Sequence, residues 1–141
     1  MSMKTKTHTA DTETKERIIM RLTDVLKTRE SIQFAFVYGS FIEEAPFHDI
    51  DVAIYLSTAR ETTATLDALE LSNQISNDIG LPVDARPLNF ASIPFKYRVI
   101  RGRLLFERDP DITAQFFEQT VQRYLDIKPF LLRGMKEAFA A

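Results

Sequence analysis

The 141-residue chain predicts an α+β fold, a small mixed β-sheet backed by helices on one side, with a C-terminal helix. Three observations carry that reading. Apolar stripes at helical spacing alternate with short apolar runs of strand length. Gly39, Gly80, Gly102 and Asp109-Pro110 fall between these segments, where chain direction must change. One strand carries Asp49 and Asp51 at alternate positions, so a single face ends in two carboxylates while the other stays apolar.

Composition sets the outer limits. With 45% apolar residues and 11 Phe, the chain can bury one core, and its length is too small for two. Net charge −2 and pI near 5.7 argue against direct nucleic-acid binding, which goes with a basic domain. No apolar run reaches the roughly 18 residues of a membrane span, and the N-terminus is polar, so neither insertion nor export is indicated. Zero Cys excludes disulfides and thiolate zinc sites and fits a cytoplasmic protein.

The elements follow in order. Residues 1–10 are rich in Thr and Lys without periodicity and read as a disordered tail, leaving 11–141 as a single domain. Ile18, Ile19, Leu22, Val25 and Leu26 form one stripe, which predicts a helix to about Thr28. Residues 32–38 form the first strand, which stops at Gly39-Ser40. A helical turn is expected from Ser40, whose hydroxyl can cap backbone N–H groups, and such exposed donors suit an anion. In the next strand, 49–56, Asp49, Asp51, Ala53 and Tyr55 share one face; Ile50, Val52, Ile54 and Leu56 face the core. Ser57 or Thr58 is expected to cap a helix over about 60–79 that buries Leu66, Leu69, Ile75 and Ile79 and stops at Gly80. In the third strand, 82–88, Asp84, Arg86 and Leu88 share a face, so Asp84 has a basic neighbour. Ser92 and Pro94 open a short helix ended by Gly102, and 103–107 is a last short strand. Asp109-Pro110 has the form of an N-cap with Pro at the first helical position. The closing helix turns Phe116, Phe117, Val121, Tyr124 and Leu125 inward. Pro129 is expected to kink or break it, leaving 130–141 as a second piece. That piece carries Phe130, Leu131, Leu132, Met135 and Phe139, more apolar surface than a small domain's end normally exposes.

The chemistry lies in the carboxylates. Asp49 and Asp51 sit about 6.6 Å apart along the strand, at roughly 3.3 Å per residue, with no cation between them. A divalent cation relieves their repulsion, and Mg²⁺ takes carboxylate oxygens together with phosphate oxygens. An isolated Asp-x-Asp more often caps a turn or faces water, and Ser after Gly is commonly only a turn residue. His48 beside the pair reads as a solvated loop residue outside the site. Lys96, Arg98, Arg101, Arg103 and Arg108 read mainly as a solvated basic face. Arg86 is the cation that strand parity places best to neutralise a triphosphate.

Gly39-Ser40 at the end of one strand, Asp49-x-Asp51 opening the next and Asp84 on a third together resemble the polymerase-β-type nucleotidyltransferases, specifically their minimal single-domain members. The resemblance covers about 32–110. Over 95–109 it is similar to the MNT antitoxins that partner HEPN-domain toxins. It implies that Gly39 and Ser40 hold nucleotide phosphates and that Asp49, Asp51 and Asp84 are catalytic and bind Mg²⁺. Asp84 would share a second metal or accept the proton of the attacking hydroxyl. It further implies an antitoxin that transfers AMP from ATP to a Tyr of a HEPN ribonuclease toxin, in a hetero-oligomer. Two other readings stand beside it: an antitoxin acting by contact alone, and a small-molecule, aminoglycoside-type nucleotidyltransferase. One departure is plain. The loop over 41–48 is two residues shorter than in many members and lacks Gly and Arg. It carries Glu43 and Glu44 instead, which implies weak nucleotide binding in isolation.

Overall fold

In chain order the elements are α1 (Thr12–Lys27), β1 (Ile32–Tyr38), β2 (Ile50–Leu56), α2 (Glu61–Ile79), β3 (Val83–Pro87), α3 (Ile93–Ile100), β4 (Arg103–Glu107) and α4 (Pro110–Phe139). They come from a computed structural model that describes residues 7–43, 46–58 and 60–139. The sheet order is β3-β2-β1-β4. β1 runs antiparallel to both β2 and β4, while β2 and β3 are parallel, so the sheet is mixed as expected. The parallel pair needs a crossover, and α2 supplies it.

β1 is almost wholly buried because helices cover both its faces. On one face, Leu22 and Leu26 of α1 and Ala64, Ala68, Leu71 and Ile75 of α2 pack over Val37, Val52 and Ile54. On the other, Val99 and Ile100 of α3 pack against Phe34, Phe36, Tyr38, Ala53 and Leu88, with Phe116 and Val121 of α4 at the margin. This corrects the expectation of helices on one side only. Phe34, Phe36 and Leu88 make the second face too apolar to stay open, and α3 and α4 cover it.

α2 buries Ile75 and packs Ile79 against the core as expected, but not Leu66 and Leu69. Leu66 and Leu69 are 65% and 60% exposed, and the buried face is Ala64, Ala68, Leu71, Ser72 and Ile75. Small residues let the helix approach β3. There the Ser72 and Ser76 hydroxyls accept from the Ala85 and Val83 N–H groups, both at 2.8 Å, satisfying donors on an edge strand. Neither Ser57 nor Thr58 caps this helix; Arg60 occupies the N-cap without a side-chain bond. Gly80 closes it in the left-handed conformation (φ 82°).

Ser40 opens a single helical turn as expected, with the Ile42 and Glu43 N–H groups both donating to the Gly39 carbonyl. Two further differences concern the chain's path. α4 continues through Pro129 to Phe139 rather than breaking. The bond that Pro129 cannot donate would have gone to the Leu125 carbonyl, and both residues are exposed, so water can take its place. Of the tail expected over 1–10, residues 1–6 lie outside the described residues, as does Glu44 of the acidic loop. His8 exchanges backbone hydrogen bonds with Phe47, at 2.8 and 3.0 Å. Among the described residues no helix is long and apolar enough to cross a membrane.

Candidate active site

Strand register, not sequence proximity, assembles the site. Tyr38 pairs with Asp51 across the antiparallel ladder, and Asp51 pairs with Asp84 across the parallel one. The ends of β1, β2 and β3 therefore present Tyr38, Asp51 and Asp84 side by side. Asp49 lies in the bend just before β2 and is exposed.

Gly39 follows Tyr38 with φ +82°, a conformation that side-chain-bearing residues rarely adopt. A Cβ there would lie 2.7 Å from Asp51 Oδ2. Only a residue without a side chain lets the turn pass this carboxylate, and half-buried Ser40 comes directly after it. Gly102 shows a second close approach, since a Cβ there would meet the Val37 carbonyl oxygen at 2.4 Å. The α3–β4 turn is thus pressed against the end of β1.

The charges around this row are unbalanced. Burial pushes the Asp51 carboxyl above the usual carboxylate range, and repulsion from Asp84 and then Asp49 adds to it; Arg98 and Arg86 oppose the shift. The Tyr38 phenol is pushed up to about 12, first by burial and next by the Asp51 charge. Arg86 Nε donates to Asp84 Oδ2 at 2.9 Å, and its guanidinium lies over the Phe95 ring at 5.9 Å. The basic neighbour expected from strand parity is present, but its charge is engaged by Asp84. Sequence reasoning set Arg98 in a basic cluster read mainly as solvated, yet its guanidinium lies 5.5 Å from the Tyr38 ring centre and beside Gly39. The available signal was the spacing of Arg98 and Arg101 on one helix face directly after the third strand.

Three carboxylates supply hard oxygen donors, the set that suits Mg²⁺ rather than a soft metal. The mutual repulsion written into the Asp51 shift is what a cation would relieve, so the residues fit such an ion chemically. Asp84 is meanwhile turned to Arg86, and among the described residues no three acidic or imidazole groups stand gathered as a closed cage. Cavities flank the row on both sides. One of about 550 Å³ is lined by Asp84, Arg86, Phe95 and Leu69, and one of about 400 Å³ by Gly39, Glu43, Arg98 and Arg101. A third cavity, about 680 Å³ beside Lys15 and Glu16, contains none of the three carboxylates.

A stability test follows from Asp51. A folded-state pKa above the unfolded one means that the folded chain holds this proton more tightly. The associated stability is complete below the ordinary carboxylate range and is lost as pH rises through the raised value. Asp51→Asn removes that loss. It is expected to raise the melting temperature at pH 7 and to flatten the fall in stability above the carboxylate range. A lower melting temperature at pH 7 would contradict this.

Comparison with known proteins places this geometry. A search of curated proteins gives no match. The chain is similar in fold to a chain of the tri-AMPylated Shewanella oneidensis HEPN toxin in complex with MNT antitoxin, at 18% identity and TM-score 0.72, covering 89% of this chain and 99% of that one. A chain of the toxin–antitoxin MntA-HepT matches at 18% identity and TM-score 0.70, covering 89% and 99%. A chain of a toxin–antitoxin with AMP-PNP matches at 20% identity and TM-score 0.67, covering 92% and 100%. At such identities these likenesses establish the fold, a polymerase-β-like core with a C-terminal helix. The family model described as Polymerase beta, Nucleotidyltransferase matches residues 20–111, well over half of the sequence, and the chain therefore belongs to that nucleotidyltransferase family.

Proposed function

We propose that this chain is an antitoxin that transfers AMP from ATP to a tyrosine of a cognate HEPN ribonuclease toxin and silences it. One observation carries the reading: register brings Asp51 beside Asp84, next to a glycine turn that a side chain would block. The structures of similar fold support the choice of acceptor, since they include an AMPylated HEPN toxin with its antitoxin and a toxin–antitoxin with AMP-PNP. Residues 11–141 act as one minimal domain, in the cytoplasm.

Each residue has a part. Gly39 and Ser40 receive the phosphate chain, because the turn passes beside the Asp51 carboxylate with no side chain at Gly39. Asp49, Asp51 and Asp84 would hold Mg²⁺, which when bound offsets phosphate charge. Arg86 orients Asp84 through their ion pair and balances its charge. The toxin's tyrosine hydroxyl gives its proton to the Asp84 carboxylate, its oxygen forms the new bond to the α-phosphorus, the bond from that phosphorus to the bridging oxygen of the β-phosphate breaks, and pyrophosphate leaves. The test is ATP-dependent gain of AMP by the partner toxin. A second reading, inhibition by contact alone, draws on the Asp84–Arg86 pair, which engages the third carboxylate.

The partner docks on the outer half of α4. Phe130, Leu132, Met135 and Phe139 are 66%, 54%, 58% and 85% exposed, while residues 112, 116, 121 and 124 pack against the body. Truncation after Lys128 is expected to leave the melting temperature nearly unchanged and to abolish toxin binding in a pull-down. A collapsed melting transition, or undiminished binding, would contradict this assignment.

A further inference from the structure

The loop after Ser40 offers no cation to a triphosphate, and Arg86 is held by Asp84 at 2.9 Å. We propose that Arg98, with Arg101 one helical turn further on, receives the outer phosphates of the nucleotide at the Gly39 turn. The inference rests on the nucleotidyltransferase reading above and adds the residues that would grip the leaving pyrophosphate.

Position is the first argument. A Cβ built on Gly39 would lie 3.6 Å from an Arg98 terminal nitrogen and 2.7 Å from Asp51 Oδ2. The guanidinium and the carboxylate therefore flank the Gly39 backbone from two sides. A phosphate chain bound at that backbone would run from the carboxylates toward Arg98. The cavity of about 400 Å³ at this place is lined by Gly39, Ile42, Glu43, Arg98, Arg101 and Gly102. Two guanidinia against one carboxylate leave it cationic, and Glu43 is the opposing charge.

Availability is the second. Among the described residues, neither Arg98 nor Arg101 has a carboxylate within ion-pair distance, whereas Arg17, Arg21, Arg86 and Arg103 each have one. Arg98 instead lies over the Tyr38 ring at 5.5 Å and Arg101 over the Tyr97 ring at 5.9 Å. An aromatic face positions a guanidinium while leaving its N–H edge for an anion. Tyr97 is itself stacked on Tyr124 of α4, with ring centroids 3.7 Å apart, so the platform beneath Arg101 is fixed. Arginine can meet phosphate oxygens with two parallel N–H bonds, a geometry that a lone lysine lacks. The plain alternative is that both arginines only complement the C-terminal end of α3. That role requires neither an aromatic platform nor a place beside Gly39.

The two roles separate by ligand. With Mg²⁺ present, binding of ATP, AMP and inorganic tripolyphosphate is titrated calorimetrically to the full chain and to Arg98→Ala/Arg101→Ala. The variant is expected to lose about tenfold or more in ATP affinity, as charge-assisted contacts disappear, while AMP affinity stays the same. Competition by tripolyphosphate should fall in parallel. Arg98→Lys/Arg101→Lys, which keeps the charge without the fork, is expected to fall between, and melting curves report whether each variant folds. Unchanged ATP affinity in the alanine variant, or equal losses for ATP and AMP, overturns this inference alone. Absence of ATP binding by the unmodified chain overturns the nucleotidyltransferase reading and this inference with it.

Discussion

Asp49→Asn with Asp51→Asn is expected to abolish AMP transfer, lowering its rate by about three orders of magnitude or more, the scale on which removing charge-stabilising groups acts. The fold should survive. Asp49 is exposed, and Asp51 is half-buried beside Asp84 with repulsion unrelieved. Removing two like charges from this row takes away a destabilising term, so the melting temperature should hold or rise. Loss of transfer with an intact melting transition is therefore the expected pair of results. Retained transfer would show that the carboxylates of β2 are not the working groups.

Gly39→Ala is expected to be nearly as damaging, through the backbone rather than through charge. At φ +82° an L side chain costs about 1–2 kcal/mol by itself. The new methyl would also lie 2.7 Å from Asp51 Oδ2, so the carboxylate must rotate away or the turn must move. Either response spoils the approach of backbone to phosphate. Thermal melts should show a loss of about 1–3 kcal/mol in stability, and transfer should drop far more than that loss explains. Gly80→Ala is the internal control. Its φ is also 82°, but nothing lies within 4 Å of a Cβ there. It should share the conformational cost and keep the activity.

Much of this arrangement was readable from the residues. β1 and β4 begin and end where Ile32, Gly39, Gly102 and Asp109 punctuate the chain, because turn chemistry is local. The alternation of Asp51 against Ile50 and Val52 held for the same reason, since strand parity needs no partner, whereas Asp49 falls in the bend before β2. The adjacency of Asp51 and Asp84 came from the family resemblance and not from the residues alone, because register depends on which strands meet across a crossover. In α2 only Leu66 and Leu69 were misplaced, because they outweigh Ala64 and Ala68 in apolarity, yet contact with β3 favours small residues and the Ser72 hydroxyl. Pro129 does not break α4, because the bond it cannot donate lies on an exposed stretch where water can take its place. Arg86 was preferred over Arg98 on parity alone, and parity cannot reveal that Asp84 already holds it.

The central claim is that this chain modifies its partner chemically. The direct measurement is intact-mass analysis of the cognate HEPN toxin after incubation with the purified chain, ATP and Mg²⁺, followed by mapping of the modified residue. The account predicts that the toxin gains the mass of one or more AMP groups on tyrosine and loses ribonuclease activity in proportion. The gain should be absent with Asp49→Asn/Asp51→Asn. A toxin inhibited to the same extent with no gain in mass would contradict it, leaving contact alone as the means of neutralisation.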